Sequence, residues 1–415
     1  MNTLLRQARY FLLGFFCLLN LTLYAEYRGE SFIYGQIRTS DGEKIEGFIE
    51  LLGADQWDDM LVADKDAPNF FVDRLGIASK LSYYREQNKA TTLGVSREWN
   101  TETEPQKFEF LSSLWSAMIS SDSPEASIPF IIQWGHIKRI EVHEDLCSIF
   151  LKNGNNHFVK LDASQQLILS TKWGDQVMSF QNVESIDFER PPKKIYPSDK
   201  LNYHGTVFTK HGVFEGNLEF LTSSENLYWL DEDVQAIEVD HTGMVLIDGS
   251  QNKRSRKTID LNSVSLEVKN YNWGILEIPF SEIKSIQMEN GLDDLGGHFE
   301  RYKSERGIFA TVLTKNGTKF SGYTVYDLNK TESIEVLRGV DEKMLYQIPI
   351  QKISKIEPNN FKFTVVELKS GRKLMLGQSP DVSISNQGLL LYKDRKLEKG
   401  QQYIQWSDID VIYFE

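Results

Sequence analysis

The chain has 415 residues, 40% hydrophobic and 12% aromatic, with a formal charge of -13. That length exceeds one small core and that apolar content suffices for several globular units. The acidic balance excludes general binding to phosphate backbones, and a chain with two cysteines, one of them Cys17 in an N-terminal apolar run, is not organised by disulfides.

Arg6 and Arg9 precede an apolar stretch from Tyr10 to Leu19, and Asn20 and then Leu23-Tyr24-Ala25 follow. A positive start, a short apolar run and a small final residue are the pattern of a secretory signal, here residues 1–25 with cleavage after Ala25. Loss of the two arginines takes the charge from -13 to -15. The run is short against the ~20 apolar residues of a membrane span. No later run reaches that length, so the mature chain is expected to be exported and to carry no transmembrane span.

Beyond residue 30 the chain repeats two signals. The first is a hairpin in which a strand runs into an X-Gly turn and out again: Asp41-Gly42, Asn153-Gly154, His211-Gly212, Asn316-Gly317 and Ser370-Gly371. Asn-Gly and Asp-Gly suit tight hairpin turns whose central residues need positive φ. The second signal is a nine-residue phrase with apolar residues at positions one, three, six and nine. Its copies are Ile132–Ile140, Met178–Ile186, Ile278–Ile286, Ile348–Ile356 and Ile404–Ile412, and all end in Ile. Two apolar residues two apart fit one strand face, and the next two at intervals of three fit one 3₁₀ turn, after which alternation resumes. Strand, 3₁₀ turn, strand is the expectation, with the third and sixth positions inside and their neighbours in water.

Five openings and five closings predict five units at 31–143, 144–190, 201–290, 303–358 and 359–415. The first carries a long insert over 52–128, where Phe108, Leu111, Trp115 and Met118 have the spacing of one short amphipathic helix. The third carries inserted hairpins over 236–270, with the basic run Lys253–Lys257 expected as a solvated tip. Apart from that helix the chain reads as all-β.

A hairpin, further strands, then strand, 3₁₀ turn and strand is the grammar of a five-stranded barrel, and the chain resembles a tandem array of about five small barrels of the Src-homology-3 or Sm type. The first unit, with Gly35-Gln36-Ile37-Arg38-Thr39, Gly42, Gly47 and Trp57-Asp58-Asp59, also resembles a module of uncharacterised secreted bacterial proteins; Trp229-Leu230-Asp231 echoes it in the third. The resemblance implies fold and export and brings no catalytic residues.

Chemical signatures are sparse. The seven His are scattered, with no His-Glu-x-x-His, no Cys pair at metal spacing, no Gly-x-Ser-x-Gly and no phosphate-cradling loop. His136 and His211 read as exposed turn residues, and Cys147 as a buried structural thiol. Asp58/Asp59 and Asp231/Glu232/Asp233 are oxygen-rich enough to suggest Ca²⁺, but lack EF-hand spacing and read as solvated loop ends beside a packed Trp. No cofactor, metal or catalytic residue is therefore assigned. The expected binding residues are Trp57, Asp58, Asp59, Trp99, Trp115, Trp229, Asp231 and Trp273, on or beside inserts where small barrels bind ligands. The expected function is an exported, non-enzymatic binding or scaffold protein of the cell envelope, whose partner is a protein or envelope polymer and not a nucleic acid. The alternative is an envelope hydrolase with a carboxylate site between units, drawn from Asp58, Asp59, Asp231 and Glu282.

Overall fold

The computed structural model describes residues 29–66, 71, 75–76, 79–80, 128–143, 146–161, 165–192, 203–222, 234–240, 243–248, 253–257, 261, 264–290, 298–303, 307–360 and 362–415. The signal segment, the helix expected over Phe108–Met118, and Trp99, Trp115, Trp229 and Asp231 lie outside these residues. The described chain is all-β, and its strands form two antiparallel sheets of ten and eighteen strands.

The ten-stranded sheet comprises β1 (Tyr34–Thr39), β2 (Lys44–Leu51), β3 (Met60–Lys65), β4 (Ile128–Gln133), β5 (Ile137–His143), β6 (Leu146–Leu151), β7 (Asn156–Lys160), β8 (Gln166–Thr171), β9 (Gly174–Ser179) and β10 (Val183–Phe188). Its spatial order is β4-β3-β7-β6-β5-β10-β1-β2-β8-β9. The hairpin β1–β2 is thus completed by β10, from the second closing phrase, while β5, from the first, pairs with the second hairpin, β6–β7. The pairing crosses the boundary expected at residue 143, because each hairpin takes the closing strand of its neighbour.

The larger sheet begins with β11 (Tyr203–Thr209), β12 (Val213–Thr222), β13 (Val234–Asp240), β14 (Gly243–Asp248), β15 (Lys253–Lys257), β16 (Val264–Asn270), β17 (Gly274–Pro279) and β18 (Ile283–Asn290). It continues with β19 (Ile308–Thr314), β20 (Lys319–Tyr326), β21 (Val336–Asp341), β22 (Met344–Pro349), β23 (Ile353–Pro358), β24 (Phe363–Leu368), β25 (Lys373–Gly377), β26 (Leu389–Tyr392), β27 (Gln402–Ile404) and β28 (Ile409–Phe414). Pair by pair its order is β15-β14-β13-β18-β11-β12-β16-β17-β22-β21-β25-β24-β23-β28-β19-β20-β26-β27. From β22 onward this reproduces the ten-stranded sheet strand for strand. The first eight reproduce it with no counterparts of β3 and β4 among the described residues. In strand order the described chain thus shows one exchanged pattern three times, termed repeats below, with eight described strands in the middle one, and β17 of the middle repeat pairs with β22 of the third.

The five closed barrels expected from the sequence are not what forms. Within each five-strand group, such as β10-β1-β2-β8-β9, the 3₁₀ turn separates the last two strands and their ladder stays open. The closing strands pair sideways instead: Ile140 lies opposite Ile186, Ile237 opposite Ile286 and Ile356 opposite Ile412. Those contacts fuse neighbouring groups into one sheet, and five of the six are the Ile that ends the nine-residue phrase.

The phrase itself folds as expected. All five copies contain a 3₁₀ turn, at Trp134–His136, Phe180–Asn182, Phe280–Glu282, Ile350–Lys352 and Trp406–Asp408. The third, sixth and ninth positions are buried in every copy, from Trp134, Ile137 and Ile140 to Trp406, Ile409 and Ile412. Hairpin glycines Gly42, Gly154, Gly317 and Gly371 have φ between 83° and 90°, as their turns require. Gly35 and Gly205 serve a different need. A Cβ there would lie 2.3 Å from the carbonyl oxygen of Asp187 or Gln287, so glycine lets the opening strand press against the closing one.

The apolar interior has two large cores, beside a small third cluster of Leu75, Val325, Leu328, Leu390 and Tyr392. One core is built from the first repeat with Tyr302 and Ile334 added, and the other is shared by the second and third repeats. Cys147 is buried in the first core, and burial pushes its thiol up to about 12. The run Lys253–Lys257 is not a hairpin tip but strand β15, whose Arg254 and Arg256 face Glu238 and Asp240 across the sheet.

Candidate functional site

Trp57, Asp58 and Asp59 sit in the loop that enters β3. The 3₁₀ turn Trp134–His136 fixes this loop through backbone bonds, with Trp134 N donating to Asp59 O (3.0 Å) and Gly135 N to Trp57 O (2.8 Å). Trp57 is fully buried between Phe188 and Phe299. Asp59 Oδ2 accepts from the backbone N–H groups of Asp55 and Gln56 at 2.8 and 2.9 Å, so the carboxylate closes its own loop. Its other oxygen accepts from Lys269 Nζ, which comes from β16 of the middle repeat.

Lys269 is only 2% exposed and is the hub of a carboxylate cluster. Its Nζ also donates to Glu219 and lies 3.9 Å from Glu267, while Asn217 approaches Asp58 at 3.4 Å. Burial alone would lower the lysine, but Asp59, Glu219, Glu267 and Asp58 outweigh it and hold the ammonium well above its usual range. The acids respond the other way. Burial pushes Asp58 up to about 7 and Glu267 up to about 8, against the pull of Lys269, and burial raises Glu277 to about 7. One cation thus serves several desolvated carboxyls, some of which hold a proton near neutrality.

The third repeat carries the same device. Glu335 stands before β21 as Asp59 stands before β3. Its Oε2 accepts from Thr331 N (2.8 Å) and Glu332 N (3.0 Å), and its Oε1 from Lys65 Nζ of the first repeat (2.6 Å). Beside it Glu332 accepts from Asn153 Nδ2 (3.0 Å) and Asn155 Nδ2 (2.6 Å), with His157 Nε2 at 3.0 Å. Burial would raise this acid, but those partners more than offset it and its pKa is lowered.

Between the two joints lies the segment His298–Lys303. Tyr302 is fully buried, edge-on to His136 and Tyr271 with ring centroids 5.1 and 5.5 Å away. Gly135 makes this possible, since a Cβ there would fall 2.1 Å from the Tyr302 ring. His136 is therefore buried, not the exposed turn residue expected, and burial together with Lys152 and Lys352 pushes it down to about 3. Lys152 packs on Phe299 and donates to its carbonyl, and Lys352 lies 3.8 Å above Tyr271. Burial lowers these two lysines to about 7 and about 8. His211 is half-buried and meets Glu282 at 3.1 Å.

Trp57, Asp58 and Asp59 are thus packed into a joint between repeats instead of standing on a ligand face; Trp57 fills the core, Asp59 holds Lys269, and Asp58 accepts from Asn217 beside it. Trp273 packs on Phe214 at 6.4 Å, against the other core. Among the described residues no group of three or more His, Cys, Asp or Glu is placed to hold a metal ion, and Lys269 stands where a cation beside Asp58 and Asp59 would. A cleft of about 220 Å³ opens elsewhere, lined by Glu30, Arg190 and His298–Arg301, with Arg190 Nη2 2.5 Å from Glu30. Reading the sequence missed Lys269 and Glu267, because the apolar alternation of Leu266 and Val268 placed their neighbours on an outer face. It also passed over Trp173-Gly174, although the Trp-Gly step recurs at Trp273-Gly274. No helix among the described residues is long and apolar enough to cross a membrane. No protein-family model matches the chain, and no curated protein matches it in sequence.

Proposed function

We propose that the chain is an exported, non-enzymatic binding or scaffold protein of the cell envelope, built from tandem units of the small-barrel type. One observation carries this reading: the strongest chemical groups, Lys269 with Asp59 and Lys65 with Glu335, sit at equivalent loops and tie repeats together. Buried charge spent on joints serves a rigid array that presents its edges and loops. The five-strand order closing strand, hairpin, two further strands, with a 3₁₀ turn linking the last two, supports the small-barrel likeness. A protein or envelope polymer is the partner class that suits such an array. The competing hydrolase reading has one point in its favour, since Asp58, Asp59 and Glu267 lie near one another between repeats; the contacts of Asp59 and Glu267 with a buried lysine speak for a joint. Fractionation and N-terminal sequencing of native material test the export half. Protein in the envelope or medium beginning at or near Glu26 is expected, and cytoplasmic protein retaining Met1 would overturn it.

A further inference from the structure

Strand β9 stands at an edge of its sheet, whereas its counterpart in the middle repeat is covered. In the middle repeat, Trp273-Gly274 turns the chain into β17, and β17 is covered by β22, with Ile275, Leu276 and Glu277 opposite Gln347, Tyr346 and Leu345. The approach is close: a Cβ on Gly274 would lie 2.2 Å from the Gln347 carbonyl oxygen. In the first repeat, Trp173-Gly174 turns the chain into β9 with nearly the same backbone, φ of Gly174 being 109° against 112° for Gly274. Here nothing lies within 4 Å of the corresponding Cβ position, and among the described strands β9 pairs with β8 alone. Trp173 is 83% exposed and Val177 60% exposed, whereas Trp273 packs on Phe214. The third repeat's counterpart, β27, has only three residues and no tryptophan.

We infer that β9 is a strand-addition site for an extended, net-positive segment of another protein, which pairs antiparallel with residues 174–178 as β22 pairs with β17. This rests on the binding reading above and names its surface. Edge strands left open are templates for pairing, and a charge on the edge restricts which chains can join. Asp175, exposed on that edge, and a chain charge of -13 favour a basic segment and disfavour a second, equally acidic copy. Apolar residues at alternate positions of the incoming strand would cover Trp173 and Val177.

The probe is the segment that the molecule already accepts: a capped peptide of Lys343–Pro349, which carries one positive charge. Added to the full chain, it is expected to slow amide hydrogen exchange in residues 174–178 and to change Trp173 fluorescence. Trp173→Ala and Asp175→Lys should each weaken binding about tenfold or more, the scale of losing an aromatic anchor or an edge charge. Thermal melts should not move, because both side chains are exposed. Absence of binding at millimolar peptide, or binding indifferent to both variants, overturns the inference and leaves the export test untouched. A chain that sediments as a dimer and becomes monomeric with Val177→Lys also overturns it, by showing that a second copy takes the edge.

Discussion

Replacing Lys269 by Met removes the ammonium that, among the described residues, meets both Asp59 and Glu267 in the joint between the first two repeats. The lysine is 2% exposed, so what it leaves behind is a set of desolvated carboxyls, Asp58, Asp59 and Glu267, all under 10% exposed. Breaking a buried ion pair from one side costs about 3–5 kcal/mol, a large share of the 5–15 kcal/mol that stabilises a typical domain. Lys269→Met should therefore lower stability by about 3–5 kcal/mol at pH 7.5, read from urea unfolding. At pH 5 the loss should shrink, because Asp58 and Glu267, raised by burial, take up protons and no longer need a cation. Adding Asp59→Asn should restore much of the stability, since an amide oxygen still accepts from Asp55 N or Gln56 N and no charge is stranded. A loss below about 1 kcal/mol, the scale of an exposed pair, or one equal at pH 5 and 7.5, would refute the joint.

Two further outcomes are expected. Burial holds Asp58 and Glu277 at about 7 and Glu267 at about 8, above their unfolded values near 4, so their contribution is full below about pH 4 and lost as pH rises through 7 to 8. Lys152 and Lys352, lowered by burial to about 7 and 8, act oppositely: the folded state holds fewer protons than the unfolded between those values and about 10.5, and stability is regained there. Urea midpoints should fall from pH 5 to about 7.5 and rise again toward pH 9.5, and a maximum at pH 7 would contradict this. Ile409→Ala, at a fully buried sixth position, should cost about 2–5 kcal/mol, while Asp408→Ala beside it, in water, should cost at most about 1. Equal losses in chemical denaturation would mean that the turn is not packed as described.

The local grammar of the fold was legible from residues alone. Spacing of one, three, six and nine named the strands, the 3₁₀ turns and the buried Ile, and the X-Gly steps named the hairpins. Which hairpin joins which closing strand was not legible, because Ile132–Ile140 and Met178–Ile186 offer the same pattern and nothing in either specifies the nearer partner over the farther one. The same blindness affected polar neighbours of the turn. Asp408 faces water as alternation predicts, yet Glu282 is buried against His211 and Lys343, and Lys352 lies on Tyr271, since a second repeat packs there. Asp58 and Asp59 read as a solvated loop for that reason: their counter-charge, Lys269, lies far along the chain.

The exchange of closing strands also sets the order in which the molecule can assemble. β1 has its partner β10 only after everything from β2 to β9 exists, and β19 waits likewise for β28. Contacts between such distant segments are reached slowly, because loop closure must precede the gain. A chain emerging from its N-terminus holds its first hairpin without β10 until a whole repeat is out. The last repeat has the converse weakness. Removing Ile409–Phe414 takes away the strand that pairs with both β19 and β23, so a short C-terminal truncation disables the two interlocked groups together.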